Sequence, residues 1–157
     1  MVFLPFENIT YLSDLTESEV YSRLRNAVEP RSYRNYTKPY SGEVNDASFK
    51  IQRVIDYRNS FLPRIIGTIQ ANQSGTEVNV RMGLHPGVLV FLFLWCSFAT
   101  VLFVIFVMNS IGNAGFFPFI PILFLLFGYA ISTIGFQYES RKSIEELRKI
   151  FVAEIKK

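Results

Sequence analysis

The sequence predicts an α+β membrane protein with a folded cytoplasmic domain, a two-helix transmembrane hairpin and a C-terminal amphipathic helix. The hairpin is indicated by two apolar segments, residues 88–108 and 116–136, which contain no Asp, Glu, Lys or Arg. As helices, both are long enough to cross a hydrocarbon core of about 30 Å. The folded domain is indicated by period-two alternation of apolar residues between Tyr40 and Gly83, which is typical of strands. A chain of 157 residues has too little other polypeptide to enclose both apolar helices in a water-soluble core.

An N-terminal helix is predicted over residues 16–28. Thr16 and Glu19 have the spacing of a capping box, in which each side chain binds the backbone amide of the other residue. Apolar residues then recur at helical spacing until Pro30, which ends the pattern. The opening stretch MVFLPFENI is predicted to form an edge strand.

A four-stranded antiparallel meander is predicted to follow, because four alternating runs are separated by turn-forming residues. The runs are YSGEVN, SFKIQRVID, PRIIGTIQAN and GTEVNVRMG. Alternation predicts that Phe49, Ile51 and Ile55 share one face of the second run, and that Thr76, Val78, Val80 and Met82 share one face of the fourth. A sheet of this kind buries one face, and the N-terminal helix is the expected cover.

Small residues in the two spans predict a helix–helix contact. Gly128, Ser132 and Gly135 follow one another at helical spacing along the second span, where they permit close approach of a neighbour. The expected neighbour is the first span around Ser97 and Ala99, and a contact between two copies of the chain is the alternative.

The tail SRKSIEELRKIFVAEIKK is predicted to be an amphipathic helix. Ile144, Leu147, Phe151 and Ile155 form one apolar stripe. We expect this helix to pack back on the sheet, since four strands and one short helix leave apolar surface uncovered. The bilayer surface and a partner protein are the alternatives.

Basic residues predict that both termini are cytoplasmic. Lys and Arg lie before the first span and after the second, and the connector NSIGNAG has none. The predicted division is a cytoplasmic domain at 1–84, a hairpin at 85–136 with spans at about 87–108 and 116–136, and a cytoplasmic helix at 137–157. The net charge of +3 is attributed to contact with anionic headgroups, and no nucleic-acid partner is expected.

The loop YRNSFLP is the candidate binding site. Asn59 suits a turn between strands, but a turn does not require Tyr57, Arg58 or Phe61, and an Arg between two rings can hold an anion or a lipid headgroup. The single histidine, His85, is a further candidate, either as a proton sensor or as a residue that caps the first span.

Catalytic and metal-binding motifs are not found. One His and one Cys cannot form the usual triads or zinc sites. We therefore expect a protein that is not an enzyme and binds no cofactor or metal.

The region from Tyr40 to Trp95, with "FKIQRVIDYRNSFLPRIIGTI" and "GTEVNVRMGLHP", resembles a family of small uncharacterised bacterial membrane proteins. The resemblance extends through the second span to the tail helix and implies the bacterial inner membrane, without implying an activity. The order of elements also resembles pleckstrin-homology-like and helix-grip lipid-binding domains at the level of the fold.

Three functions are compatible with these observations. The first is a membrane-anchored, non-enzymatic interaction module or accessory subunit, which docks a partner at the cytoplasmic face as a homo-oligomer or with another membrane protein. The second is a sensor of lipid or small anions that uses the YRNSFLP loop. The third is an oligomeric pore.

Overall fold

The computed structural model describes residues 5–31, 36–73, 75–109 and 119–156. Within these ranges the chain is an α+β fold with a seven-stranded sheet and three helices. The elements are β1 (Phe6–Ser13), α1 (Glu17–Ala27), β2 (Val28–Glu29), β3 (Tyr40–Val44), β4 (Ser48–Arg53), β5 (Arg64–Asn72), β6 (Gly75–Gly83), α2 (Pro86–Asn109), α3 (Phe119–Phe151) and β7 (Ala153–Lys156). Most of the connector NSIGNAG and the first residues of the predicted edge strand lie outside the described residues.

The sheet has the strand order β2-β3-β4-β5-β6-β1-β7. The strands β3 to β6 pair with one another in chain order and antiparallel, as the alternation predicts, but the prediction of a four-stranded sheet is wrong. β1 pairs with β6 along its whole length, from Phe6 opposite Gly83 to Ser13 opposite Thr76. Because β7 then pairs with the other side of β1, β1 lies inside the sheet and is not an edge strand.

The two faces of the sheet differ in their cover. The inner face is packed against α1 and the C-terminal half of α3, and its residues on β6 are buried as predicted: Thr76, Val78, Val80 and Met82. No described helix covers the outer face. Its side chains on the central strands are mostly polar, as expected for a surface in contact with water.

The capping box at the start of α1 is confirmed. The Thr16 hydroxyl accepts a hydrogen bond from the Glu19 amide, and the Glu19 carboxylate accepts one from the Thr16 amide. Val20 and Leu24 then face the core without solvent exposure. The helix ends at Ala27, where the chain enters β2.

α2 and α3 are both long and apolar enough to cross a membrane. They pack against each other through Trp95, whose ring stacks on Phe124 with the centroids 5.4 Å apart. A Cβ atom placed on Gly128 would lie 2.9 Å from the Trp95 indole nitrogen. Gly128 therefore lets the indole lie directly against the backbone of α3.

The tail is not a separate helix, contrary to the predicted architecture. α3 continues without interruption from its apolar half through residue 136 to Phe151. Its last turns pack on the inner face, where Phe151 contacts Tyr11 edge to face with the ring centroids 5.5 Å apart. Ile155, predicted to lie on this helix, is part of β7.

Candidate functional site

A network of five polar side chains joins the sheet to α3 at the point where α3 changes from apolar to charged sequence. Arg53 is at its centre. Alternation along β4 places Arg53 on the same inner face as Phe49 and Ile51, both of which are buried. α3 supplies Glu139 and Glu146, which share one face of the helix because they are two turns apart.

Arg53 bridges two of the carboxylates of α3, Glu139 and Glu146. One terminal nitrogen donates to Glu139 over 2.9 Å, and the other terminal nitrogen donates to Glu146 over 2.9 Å. The Arg53 Nε donates to the second oxygen of Glu146 over 3.3 Å, so this contact is bidentate. The side chain of Glu139 is fully buried, and those of Arg53 and Glu146 are 19% and 34% exposed. Such a pair gives a fixed geometry, because charge-assisted bidentate contacts restrict both partners.

Two tyrosines complete the network. The Tyr40 hydroxyl donates to Glu146 over 3.0 Å, and the Tyr57 hydroxyl donates to Glu139. The buried Glu139 is thus held by a guanidinium and a phenol, which satisfies a charge that would otherwise be costly to remove from water.

The electrostatics favour charged Arg53 and neutral tyrosines at pH 7. Burial opposes the charge of Arg53, but the carboxylates of Glu146 and Glu139 outweigh it and raise the Arg53 pKa. Burial, and then the proximity of Glu146, raise the pKa of Tyr40 well above its ordinary value. The hydrogen bond to Glu139 raises the pKa of Tyr57 to about 12. The network is therefore built to hold α3 in place rather than to transfer protons near neutral pH.

Further hydrogen bonds attach the last turns of α3 to β1. The Tyr11 hydroxyl donates to the backbone oxygen of Ile144 over 3.1 Å. The Ser13 hydroxyl donates to the backbone oxygen of Phe151 over 2.6 Å, which satisfies a carbonyl at the helix end. The C-terminal half of α3 is in this way bonded to both β1 and β4.

The YRNSFLP loop lies against α3. Tyr57 reaches Glu139 as described, and the Asn59 side-chain nitrogen donates to the Gly135 carbonyl over 3.5 Å. The Asn59 side-chain oxygen accepts the Phe61 amide over 2.9 Å, which closes a local turn, and the Phe61 ring lies against Gly135. Arg58 is exposed, and it forms no hydrogen bond or ion pair with the residues that the structure describes.

His85 occupies the cap position of α2. Its Nδ1 accepts the Gly87 amide over 3.0 Å, and its carbonyl accepts the amides of Val88 and Leu89. Pro86 is then the first residue of the helix, where the absence of an N–H has no cost. This geometry accounts for His85 as a capping residue.

The predicted helix-packing residues separate into different environments. Gly128 faces Trp95 and Gly135 faces Phe61. Ser132 is buried, and its hydroxyl donates to the Tyr129 carbonyl. Ser97 is exposed and its hydroxyl donates to the carbonyl of Phe93 on its own helix, whereas Ala99, the other position expected on α2, is buried, and Trp95 contacts α3.

The polar network around Arg53 is not among the predicted sites, although the sequence contains a signal for it. Arg53 has the same parity as Phe49 and Ile51, so strand alternation alone places a charge on the buried face. A charge in that position requires a partner, and Glu139 is the first charged residue after the second apolar segment.

Comparison of the chain with protein-family models, curated proteins and solved structures gave no match. Among the described residues, no group of three or more His, Cys, Asp or Glu side chains is placed to hold a metal ion. Functional interpretation therefore depends on the geometry of the molecule itself.

Proposed function

We propose that the protein is a membrane-anchored, non-enzymatic interaction module of the bacterial inner membrane, with both termini in the cytoplasm. In this proposal α2 and α3 cross the bilayer, and the sheet is held at the cytoplasmic surface to dock a partner. The observation that carries the proposal is the continuity of α3, which runs from an apolar half into the core of the sheet and is fixed there by Arg53.

Exposed apolar side chains support insertion of the two helices. Phe93 on α2 is 71% exposed and Ile134 on α3 is 68% exposed, and similar residues surround both helices. Large exposed apolar surfaces on helices are unfavourable in water and favourable in lipid. The length of α3, 33 residues, corresponds to roughly 50 Å, which exceeds the thickness of the hydrocarbon core, so its charged end must leave the bilayer.

The outer face of the sheet supports docking. A shallow groove of about 420 Å³ crosses β1, β5 and β6 there, lined among others by Thr10, Ile66, Thr68, Asn79 and Arg81. Ile66 is half-exposed in the middle of this polar surface. An exposed apolar side chain beside hydrogen-bonding groups, on the face that α1 and α3 leave open, is suited to a protein partner.

Photo-crosslinking in intact membranes tests the docking surface. A photoreactive residue at Thr68, on the outer face, is expected to give an adduct of discrete mass, and the Ile66→Lys change is expected to abolish it. The same residue at Ser22, on the exposed side of α1, is the matched control. An absence of adducts at Thr68, or the same adducts at Ser22, contradicts the proposal; an adduct of twice the chain mass identifies the partner as a second copy.

Labelling from one side of the membrane tests the orientation. Single cysteines at Arg23 and Arg148, in a Cys96→Ala background, are expected to react with an impermeant maleimide only from the cytoplasmic side. A cysteine at Asn113 in the connector is expected to react only from the opposite side. Reaction of Arg23→Cys and Arg148→Cys from different sides contradicts the hairpin.

A further inference from the structure

An apolar crevice of about 140 Å³ lies where the loop at residues 57–63 meets α2 and α3. Its walls include Phe61 from the loop, Phe91 and Trp95 from α2, and Ile131 from α3. Phe91 and Ile131 are also exposed on the apolar surface of the helix pair. The crevice is therefore reached from the side that acyl chains occupy if the two helices span the bilayer.

Arg58 belongs to the same loop as Phe61, the loop residue that lines this crevice. Its neighbours on both sides are fixed to α3, Tyr57 through Glu139 and Asn59 through the Gly135 carbonyl. Arg58 lies between these two attachments, is exposed, and has no bonding partner among the described residues. Because both neighbours of Arg58 are bonded to α3, the loop holds the Arg58 backbone in place, and its exposed guanidinium has free donors for an anion.

The loop is attached to α3 at Gly135 and Glu139, where the apolar half of the helix ends. Phe136 is the last residue of the apolar segment; Glu139 is the first charged residue after it, and Arg141 and Lys142 follow within two turns of Phe136. The Lys142 ammonium lies 3.9 Å from the centroid of the exposed Tyr138 ring. Basic and tyrosine side chains at the end of a span are typical of the headgroup region, where anionic lipids concentrate around them. Along α3, positive charge therefore follows the apolar crevice in the direction of the C-terminal half of the helix.

We propose that Arg58 and the crevice lined by Phe61 together bind one anionic phospholipid, with the phosphate on the guanidinium and the first part of an acyl chain between Phe61 and Ile131. The guanidinium matches phosphate oxygens in a bidentate manner, and the aromatic walls match the chain. This inference rests on the proposed membrane insertion but does not depend on a protein partner. A lipid is favoured over a free anion because the crevice has no polar lining.

Native mass spectrometry of the full chain tests the site. The protein in detergent is offered equal amounts of phosphatidylglycerol and phosphatidylcholine, and bound lipid is counted. Arg58→Gln is expected to reduce bound phosphatidylglycerol about tenfold, the loss that corresponds to one charged hydrogen-bonding contact. Asp56→Asn, which removes an exposed carboxylate beside Arg58, is expected to increase it. Ile131→Trp, which fills the crevice, is expected to reduce binding of both lipids.

Two controls separate the site from general attraction between charges. Arg23→Gln removes an exposed arginine on α1 and is expected to leave lipid binding unchanged; an equal loss in Arg23→Gln and Arg58→Gln overturns the proposal. Inorganic phosphate is expected not to displace the lipid, and displacement would show a simple anion site instead. Unchanged binding of phosphatidylglycerol to Arg58→Gln also overturns the proposed lipid site. Insertion of α2 and α3 into the membrane is tested separately, by the side from which the maleimide labels the single cysteines.

Discussion

Arg53 and Glu139 are bonded over 2.9 Å at the joint between the sheet and α3, and the Glu139 side chain has no exposure to solvent. A buried ion pair contributes little net stability compared with apolar side chains of the same volume, but removal of one partner leaves an uncompensated charge. This pair therefore acts mainly to fix where and in which orientation α3 leaves the sheet.

Arg53→Met is expected to destabilise the protein by about 3–5 kcal/mol, because it leaves Glu139 and Glu146 of α3 without their cation. Glu139→Gln keeps one of the two accepting oxygens, so it retains the bond from either Arg53 or Tyr57, and Arg53 keeps Glu146; a smaller loss is expected. Thermal unfolding followed by circular dichroism in detergent measures both variants. A loss below about 1 kcal/mol for Arg53→Met would show that the network does not hold the joint.

Thr16→Ala is expected to cost about 1 kcal/mol near neutral pH, because it removes the cap of α1. The pH dependence has a defined sign. Hydrogen bonds from the backbone and side chain of Thr16 hold the pKa of Glu19 below its ordinary value near 4.5. The stability that these hydrogen bonds contribute is fully present above pH 4.5 and is lost as the pH falls through the lowered pKa of Glu19. The difference between wild type and Thr16→Ala in thermal unfolding is thus expected to narrow in acid, and a difference that widens in acid would be inconsistent with the capping box.

Gly67→Ala is expected to destabilise the sheet by about 1–3 kcal/mol through overpacking. A Cβ atom at Gly67 would lie 2.3 Å from the tip of the Phe49 ring, which is buried on the inner face and packs on Phe151. Gly83→Ala is the matched control, since a Cβ there meets nothing within 4 Å. Equal melting temperatures for the two variants would contradict the close contact between the Phe49 ring on β4 and Gly67 on β5.

Gly128→Leu is expected to displace Trp95 from α3 into lipid. Trp95 is the single tryptophan of the chain, so its fluorescence reports on this contact alone. Quenching by lipids with brominated acyl chains should increase in Gly128→Leu and stay unchanged in Ile134→Leu, where the side chain is already exposed. Unaltered quenching in Gly128→Leu would mean that α2 and α3 do not pack through this position.

Local patterns predicted the elements but not the partners of β1. Thr16 with Glu19 located α1, and alternation gave the inner face of β6, because both signals depend on neighbouring residues. The pairing of β1 with β6 joins residues about 70 positions apart, such as Thr10 and Asn79, and alternation carries no record of which strand lies beside which.

The continuity of α3 was missed for a different reason. The change from apolar to polar sequence after Phe136 marks a change of surroundings, from exposed apolar surface to packing on the sheet, and this pattern predicts a boundary between two helices. No Pro occurs there, Gly135 lies within the helix without ending it, and α3 continues across this point to Phe151. The apolar pattern of β4 does not by itself identify Arg53, because it names only the apolar members of the inner face.

Hydrogen–deuterium exchange across α3 tests the central claim most directly. With the full chain in lipid nanodiscs, the account predicts continuous protection of the amides from Ile131 to Leu147, with no fast-exchanging segment around Gln137, and a loss of protection beginning near Glu139 in Arg53→Met. Rapid exchange at residues 136–141 between two protected segments would show a hinge at the membrane surface. Such a result would contradict the proposal that α3 is a single rigid helix and that this helix holds the sheet at the surface of the bilayer.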